Sequence, residues 1–406
     1  MNRIYRLVWS KSRKCIVAVS EIAKGNTKGG SKASTVGSVL TSTLLALGGI
    51  AGLTDMTIEN AHATAQTVTT SITGPVTLNN GDSLQVSASG TISGGTSGVL
   101  ATSVTTSFIN NAGTISGINN GIYLRQSTLS GGITNSGSIS GNEFGIYLRQ
   151  STLSGGITNS GSISSGGSAG IYLSSSTLSG GIINSGSISG NNAGIYLNQS
   201  TLSGGITNSG SISSGTFDGI YLSSSTLSDG ITNSGSISGG TAGIYLGSSS
   251  LSGGITNSGL ISGGTSTGNA GIYIDPTSSV DSIINTGAIT GAFGINNLGH
   301  IGTLSNGQGG NSSSASTTAL TYTGTLPTNY NIIINSATHY GQLAVTSPTG
   351  STTFGISALS GVGTGVLGSY LHVLTGLTNT NLGLSGSSIT STSNGYGICL
   401  LGRPCT

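Results

Sequence analysis

Charged side chains are scarce: eleven Lys and Arg with nine Asp and Glu stand among 406 residues, where a typical soluble domain carries about a quarter. That argues against an enzyme domain with an ordinary charged surface. Disorder is disfavoured too, because disorder couples low hydrophobicity to high net charge, whereas this chain is 34% hydrophobic with a formal charge of +2. Cysteine is almost missing. Cys15, Cys399 and Cys405 are the only three, so no disulfide framework holds the body, and the last two cannot make a conventional zinc site without further ligands. With 72 Gly in the chain, the bulk is expected to fold behind a surface of Ser, Thr, Asn and Gly.

The few charges are unevenly placed. Arg3, Arg6, Lys11, Arg13, Lys14, Lys24, Lys28 and Lys32 face only Glu21, Asp55 and Glu59 in residues 1–65. Beyond them Arg125, Arg149 and Arg403 are the only strong cations, outnumbered by acids. Such a body has no electrostatic grip on a phosphate backbone, which excludes nucleic acid as a partner.

The basic start runs into an uncharged, mostly apolar stretch from Val36 to Leu53, then into the small-residue boxes Ala61-His62-Ala63 and Ala63-Thr64-Ala65. This order is a secretory signal, cleaved so that the mature chain begins at Thr64 or at Gln66. The competing reading is an uncleaved anchor, which the Gly, Ser and Thr in the stretch oppose. Upstream, Met1-Asn2-Arg3-Ile4-Tyr5-Arg6-Leu7-Val8-Trp9 and Val17-Ala18-Val19-Ser20-Glu21-Ile22-Ala23-Lys24-Gly25 form far more than a basic lead-in. Those residues resemble the extended signal peptide region of large proteins secreted by the type V route of Gram-negative bacteria, with Ile16 where that family often has an aromatic. The resemblance implies delayed inner-membrane export of a chain that must not fold in the periplasm, with the export machinery as its partner.

Repetition dominates the body of the chain. The unit reads G-I-T-N-S-G-S-I-S-G, a short linker, G-I-Y-L and S-T-L-S-G. Its asparagine recurs at Asn111, Asn135, Asn159, Asn184, Asn208, Asn233, Asn257 and Asn285, at intervals of 24, 24, 25, 24, 25, 24 and 28. Its tyrosine recurs at Tyr123, Tyr147, Tyr172, Tyr196, Tyr221, Tyr245 and Tyr273. The apolar positions of one unit, Ile133, Ile139, Ile146, Leu148 and Leu153, never take helical spacing. Three short strands joined by glycine-rich corners fit them, and a regular period of about 24 predicts an all-β parallel β-helix solenoid. One coil has too little to bury to order itself, so coils must stack, at about 4.8 Å per rung, and eight rungs make a rod of roughly 40 Å.

Stacking sets identical side chains in columns. The asparagines are expected to form a structural ladder of side-chain amides rather than an exposed ligand row. Tyrosine lies between an inward Ile and an inward Leu, which points it outward as a stripe. That stripe is either a structural stack or a face for glycan or protein contact.

The expected organisation is an extended signal peptide over 1–63, N-terminal coils over 64–107, repeats over 108–300, a Gly/Ser/Asn-rich bridge over 301–318, a late β segment over 319–393 and an aberrant tail over 394–406. The late block is similar to the segment that precedes the barrel in some autotransporters. After Tyr340 only Phe354, Tyr370 and Tyr396 are aromatic, too few for the girdles of a membrane barrel. The expectation is therefore a truncated autotransporter without a translocator of its own.

Chemical motifs are weak. Gly81-Asp82-Ser83-Leu84 spells the opening block of one esterase family, but none of His300, His339 and His372 has an Asp three residues before it, so a turn is expected. Gly363-Thr364-Gly365-Val366-Leu367-Gly368 fits G-x-G-x-x-G with no later acid to hold a ribose. The acids are too dispersed for calcium cages. No catalytic, cofactor or metal residue is expected. A surface-displayed or released passenger, or one held in the periplasm if truncated, acting in adhesion or self-association by contact with a host surface or with copies of itself, is the leading reading. Its rivals are a glycan hydrolase built on Asp275 and Asp281 or Asp218 and Asp229, and a two-partner exoprotein whose usual secretion-domain motifs are not evident.

Overall fold

The computed structural model describes residues 5–10, 15–20, 63–310, 319–336, 338–361, 370, 372–383, 391–393 and 396–398. The chain divides into two units, residues 1–59 and 60–406. In the first, strand Tyr5–Ser10 pairs antiparallel with Cys15–Ser20. The apolar stretch Val36–Leu53, the residues Ala61 and His62, the segment 363–368, Cys399 and Cys405 lie outside the described residues.

The second unit is a β-solenoid of about 12 turns, and no helix occurs among its described residues. A representative coil runs through Ile133–Asn135, Ser138–Gly141, Phe144–Arg149 and Thr152–Leu153. Each strand pairs in parallel with its copy one repeat later: Ile133 with Ile157, Ile139 with Ile163, Tyr147 with Tyr172 and Leu153 with Leu178. Three stacked sheets of 20, 10 and 13 strands result. The coil thus holds a fourth strand beyond the three expected from the sequence. The Thr-Leu pair is too short to be read from two residues, and it belongs to the sheet of the Ile-x-Asn strands. In the coil at Ser279–Asn285 the two merge into one seven-residue strand.

The core is five columns of aliphatic side chains. Ile133, Ile139, Ile146, Leu148 and Leu153 are all buried, as are their counterparts from coil to coil. Alternation within Ile146-Tyr147-Leu148 turns the two aliphatics inward and leaves the ring half-exposed. Glycine is needed where columns crowd. A Cβ on Gly145 would stand 2.6 Å from the carbonyl oxygen of Gly170 and 2.8 Å from Ile163 Cγ2. Gly132, at φ 75°, makes the bend between the Thr-Leu and Ile-x-Asn strands.

The bridge expected over 301–318 does not begin as a break. Residues 300–306 form strand His300–Asn306, which pairs with Ser279–Asn285 on one side and Asn329–Ile332 on the other. Gly, Ser and Asn also make up the coils, so composition could not separate linker from rung. Leu304, fully buried, keeps this strand on the core. Strands Leu320–Thr325, Leu343–Thr349 and Leu374–Thr375 then continue the sheet that carries the tyrosines. In the tail, Tyr396–Ile398 pairs antiparallel with Ser391–Ser393.

Substitutions at the crowded glycine column should cost more than trimming the core. Ile163→Val is expected to destabilise by about 1 kcal/mol, whereas Gly145→Ala, which must push carbonyl and methyl groups aside, should cost about 1–3 kcal/mol. Equilibrium urea unfolding of the two variants followed by circular dichroism checks the order, and equal or inverted costs would contradict this packing.

Candidate functional site

Two polar columns are buried and one aromatic column is not. The asparagines lie at the end of the Ile-x-Asn strands, with Asn135 to Asn285 fully buried and Asn111 nearly so. In each pair the Nδ2 group donates to Oδ1 of the next asparagine, as from Asn135 to Asn159 at 2.8 Å and from Asn159 to Asn184 at 2.8 Å. The same nitrogen reaches the carbonyl two residues ahead and one in the next coil, for Asn135 those of Gly137 and Ser162. The column runs on beyond the eight positions legible in the repeat. Asn285 donates to Oδ1 of Asn306 and to Oε1 of Gln308, and Asn306 donates to the carbonyls of Gln308 and Gln342.

A second column is not apparent from the sequence. Ser127, Ser151, Ser176, Ser200, Ser225, Ser249 and Ser278 are buried at the corner after the tyrosine strand. The backbone N–H of Ser151 donates to Ser176 Oγ at 3.1 Å, while Ser151 Oγ donates to the carbonyl oxygen of Arg149 at 2.9 Å. The preceding residue, Gln150 at φ 51° or Ser175 at φ 50°, is left-handed without being glycine. The recurrent S-T-L block is the available signal, but serine is so frequent here that one buried column does not stand out from the exposed ones.

The seven tyrosines pair in register. Ring centroids are 4.6–5.1 Å apart, stacked at every step except Tyr221 to Tyr245, which meet edge-on. Phe144 lies against both Tyr147 and Tyr172. Partial burial first, then neighbouring tyrosines, push the Tyr196 and Tyr245 hydroxyls up to about 12. On the strands of the adjoining sheet, Thr134, Thr158, Thr207, Thr232 and Thr256 make an exposed row interrupted by Ile183.

The acids are spent on local structure or isolated. Asp275 accepts from the Ser248 and Thr277 N–H groups and from the Ser278 and Thr277 hydroxyls. Burial raises its carboxyl, but these donors outweigh that and hold it low. Asp281 is exposed on the strand Ser279–Asn285 and Asp229 in a turn. Asp218 replaces an alanine in the column between Ala193 and Ala242, buried with one backbone donor, Ala242 N–H at 3.0 Å; burial pushes it up to about 7. Gly81-Asp82 forms a turn, with Gly81 at φ 83° and Asp82 buried against Thr64, Gln66 and Asn79. Of the expected cleavage residues, Ala63 and Thr64 precede strand Ala65–Val68, which pairs with Ser83–Val86. Among the described residues no group of three or more His, Cys, Asp or Glu could hold a metal ion.

Two measurements test these columns. Asn184→Ala leaves the buried Asn208 Oδ1 without its donor and Asn159 Nδ2 with a partner fewer and should cost about 2–4 kcal/mol, about one to three for the stranded acceptor and about one for the second lost bond. Asn111→Ala should cost less, because Asn111 donates but its Oδ1 receives nothing; equal costs in urea melts would count against a coupled ladder. Asp218 ionises at a higher pH folded than its ordinary 3.8, so the folded state binds the extra proton and stability declines as pH rises from about 4 through about 7. Asp218→Ala, the residue of the adjacent coils, should remove that decline and leave the variant more stable than the parent at pH 8.

Residues 1–49 match the family described as Extended Signal Peptide of Type V secretion system. Comparison with curated proteins and with solved structures finds no match. The leader marks export from a Gram-negative bacterium, and the β-solenoid behind it has the architecture typical of autotransporter passengers.

Proposed function

We propose that the solenoid works outside the cell, on the bacterial surface or released from it, as a non-enzymatic rod that mediates adhesion or self-association. The observation that carries this reading is the tyrosine column. Seven half-exposed rings repeat at one coil spacing along one sheet, with Arg125 and Arg149 exposed at one end. Each ring offers an apolar face with a polar tip, suited to sugar rings or to the edges of other proteins. A contact too weak to hold singly gains avidity when copied along a rigid support, by about 10²–10⁴ where geometry allows simultaneous engagement. The binding of Asp275 within its turn and the isolation of Asp218 speak against a carboxylate pair for glycan cleavage.

The test is binding of the purified mature rod to epithelial cells, alongside sedimentation to register self-association. Tyr172→Ser with Tyr196→Ser interrupts the column at its middle and should reduce avid binding or association at least about tenfold, with the β-sheet circular dichroism unchanged. Undiminished binding and association by that variant would refute the tyrosine column as the contact face.

A further inference from the structure

Asp82 is the least exposed carboxylate of the described residues, at 1% exposure, and its surroundings lack a counter-charge. Its Oδ1 accepts from the Thr64 N–H at 2.9 Å and the Thr64 hydroxyl at 2.6 Å. Its Oδ2 accepts from Gln66 Nε2 at 3.0 Å and from the Asn79 N–H at 2.8 Å. Burial alone would raise its carboxyl, but the donors from Thr64, Asn79 and Gln66 prevail and hold it at about 2. It is therefore an ionised group surrounded by neutral donors. A buried charge normally needs a charged partner as well as hydrogen bonds, and among the described residues no Lys, Arg or His side chain supplies one here.

One nitrogen of this cradle can become a cation. We infer that the export peptidase cuts between Ala63 and Thr64, and that the new Thr64 ammonium is the counter-ion of Asp82, an electrostatic clamp that seals the first coil. In the cleavage, water gives its hydroxyl to the Ala63 carbonyl, leaving a carboxylate on the departing leader. The C–N bond breaks, and the Thr64 nitrogen takes up protons to become an ammonium, the form an α-amine holds at neutral pH. The carbonyl of Thr64 already accepts from the Ser83 N–H, so Thr64 is the first residue tied into the stack. Cleavage in the overlapping Ala63-Thr64-Ala65 box would instead discard Thr64, and with it both donors to Oδ1. The two boxes are equivalent as sequence, and the buried carboxylate discriminates between them. The inference rests on export of the chain and is independent of what the rod contacts.

The chain offers an unusually clean test. All the lysines of residues 1–406, Lys11, Lys14, Lys24, Lys28 and Lys32, lie in the leader, so in residues 64–406 expressed behind that leader the α-amine is the one primary amine. The full precursor is expressed in an exporting Gram-negative host, and the intact mass of the processed chain is measured. The native protein is then treated with an acetylating reagent, beside a peptide of the same first residues. A start at Thr64 and acetylation about tenfold or more slower than the peptide, the factor expected from a one-unit rise of the amine pKa, would establish the clamp. Asp82→Asn, which keeps an acceptor but drops the charge, should return the rate to that of the peptide. A start at Gln66, a precursor left unprocessed, or a native amine that reacts as fast as the peptide overturns the inference. Should Asp82→Asn not fold, the mass and the rate on the native chain decide by themselves.

Discussion

Parallel, in-register hydrogen bonding between near-identical coils is the constraint on which the other features depend. A backbone that pairs with its own copy one turn later brings each side chain beside its own kind. Whatever a position carries must therefore be compatible with a column of itself. Isoleucine and leucine satisfy this by filling a dry interior. Asparagine satisfies it because one amide carries both donor and acceptor, so each copy bonds the next. Serine does so by accepting from one backbone N–H and donating to one carbonyl. Charge is poorly suited to such a column, since like charges one rung apart repel; Arg125 and Arg149 are paired in this way only at an exposed strand end, and the scarcity of charged residues in the repeats is the corresponding mark in the composition.

The same constraint explains where exceptions occur. Asp218 stands alone between alanines, and Asp82 stands just before the strand Ser83–Val86, where it accepts from Thr64 and Gln66 beside the preceding strand Ala65–Val68. Phe144 fills the position that alanine holds in the following coils and adds a ring beside the tyrosine column. Toward the C-terminal side the columns change partners: a buried Tyr322 replaces isoleucine opposite Ile295, and Gln308 joins Asn306 where the interval shortens. Such a stack can form by adding one rung at a time, since each coil needs only the one before it. That is suited to an exported chain, and the leader marks this one for export.

The period of about 24, the inward aliphatics and the outward tyrosine were all visible in the chain itself, because strand alternation depends on neighbouring residues alone. The asparagine column was visible for the same reason, up to Asn285. Its extension to Asn306 was not, because an interval of 21 breaks the period and the Gly, Ser and Asn around it look like a linker. The fourth strand escaped notice since two residues carry no period. The buried serines were indistinguishable from exposed ones until the corner at Gln150 and its counterparts, turned left-handed, showed which hydroxyl faces inward.

The amino-acid order thus determined the leader, the coil length and the identity of the columns, all of which rest on local spacing. Tertiary structure decided which polar groups those columns bury, where the stack continues through an irregular interval, and that Asp82 is enclosed with Thr64. These depend on residues brought together from different coils, and burial is a property of the pair, not of either residue alone.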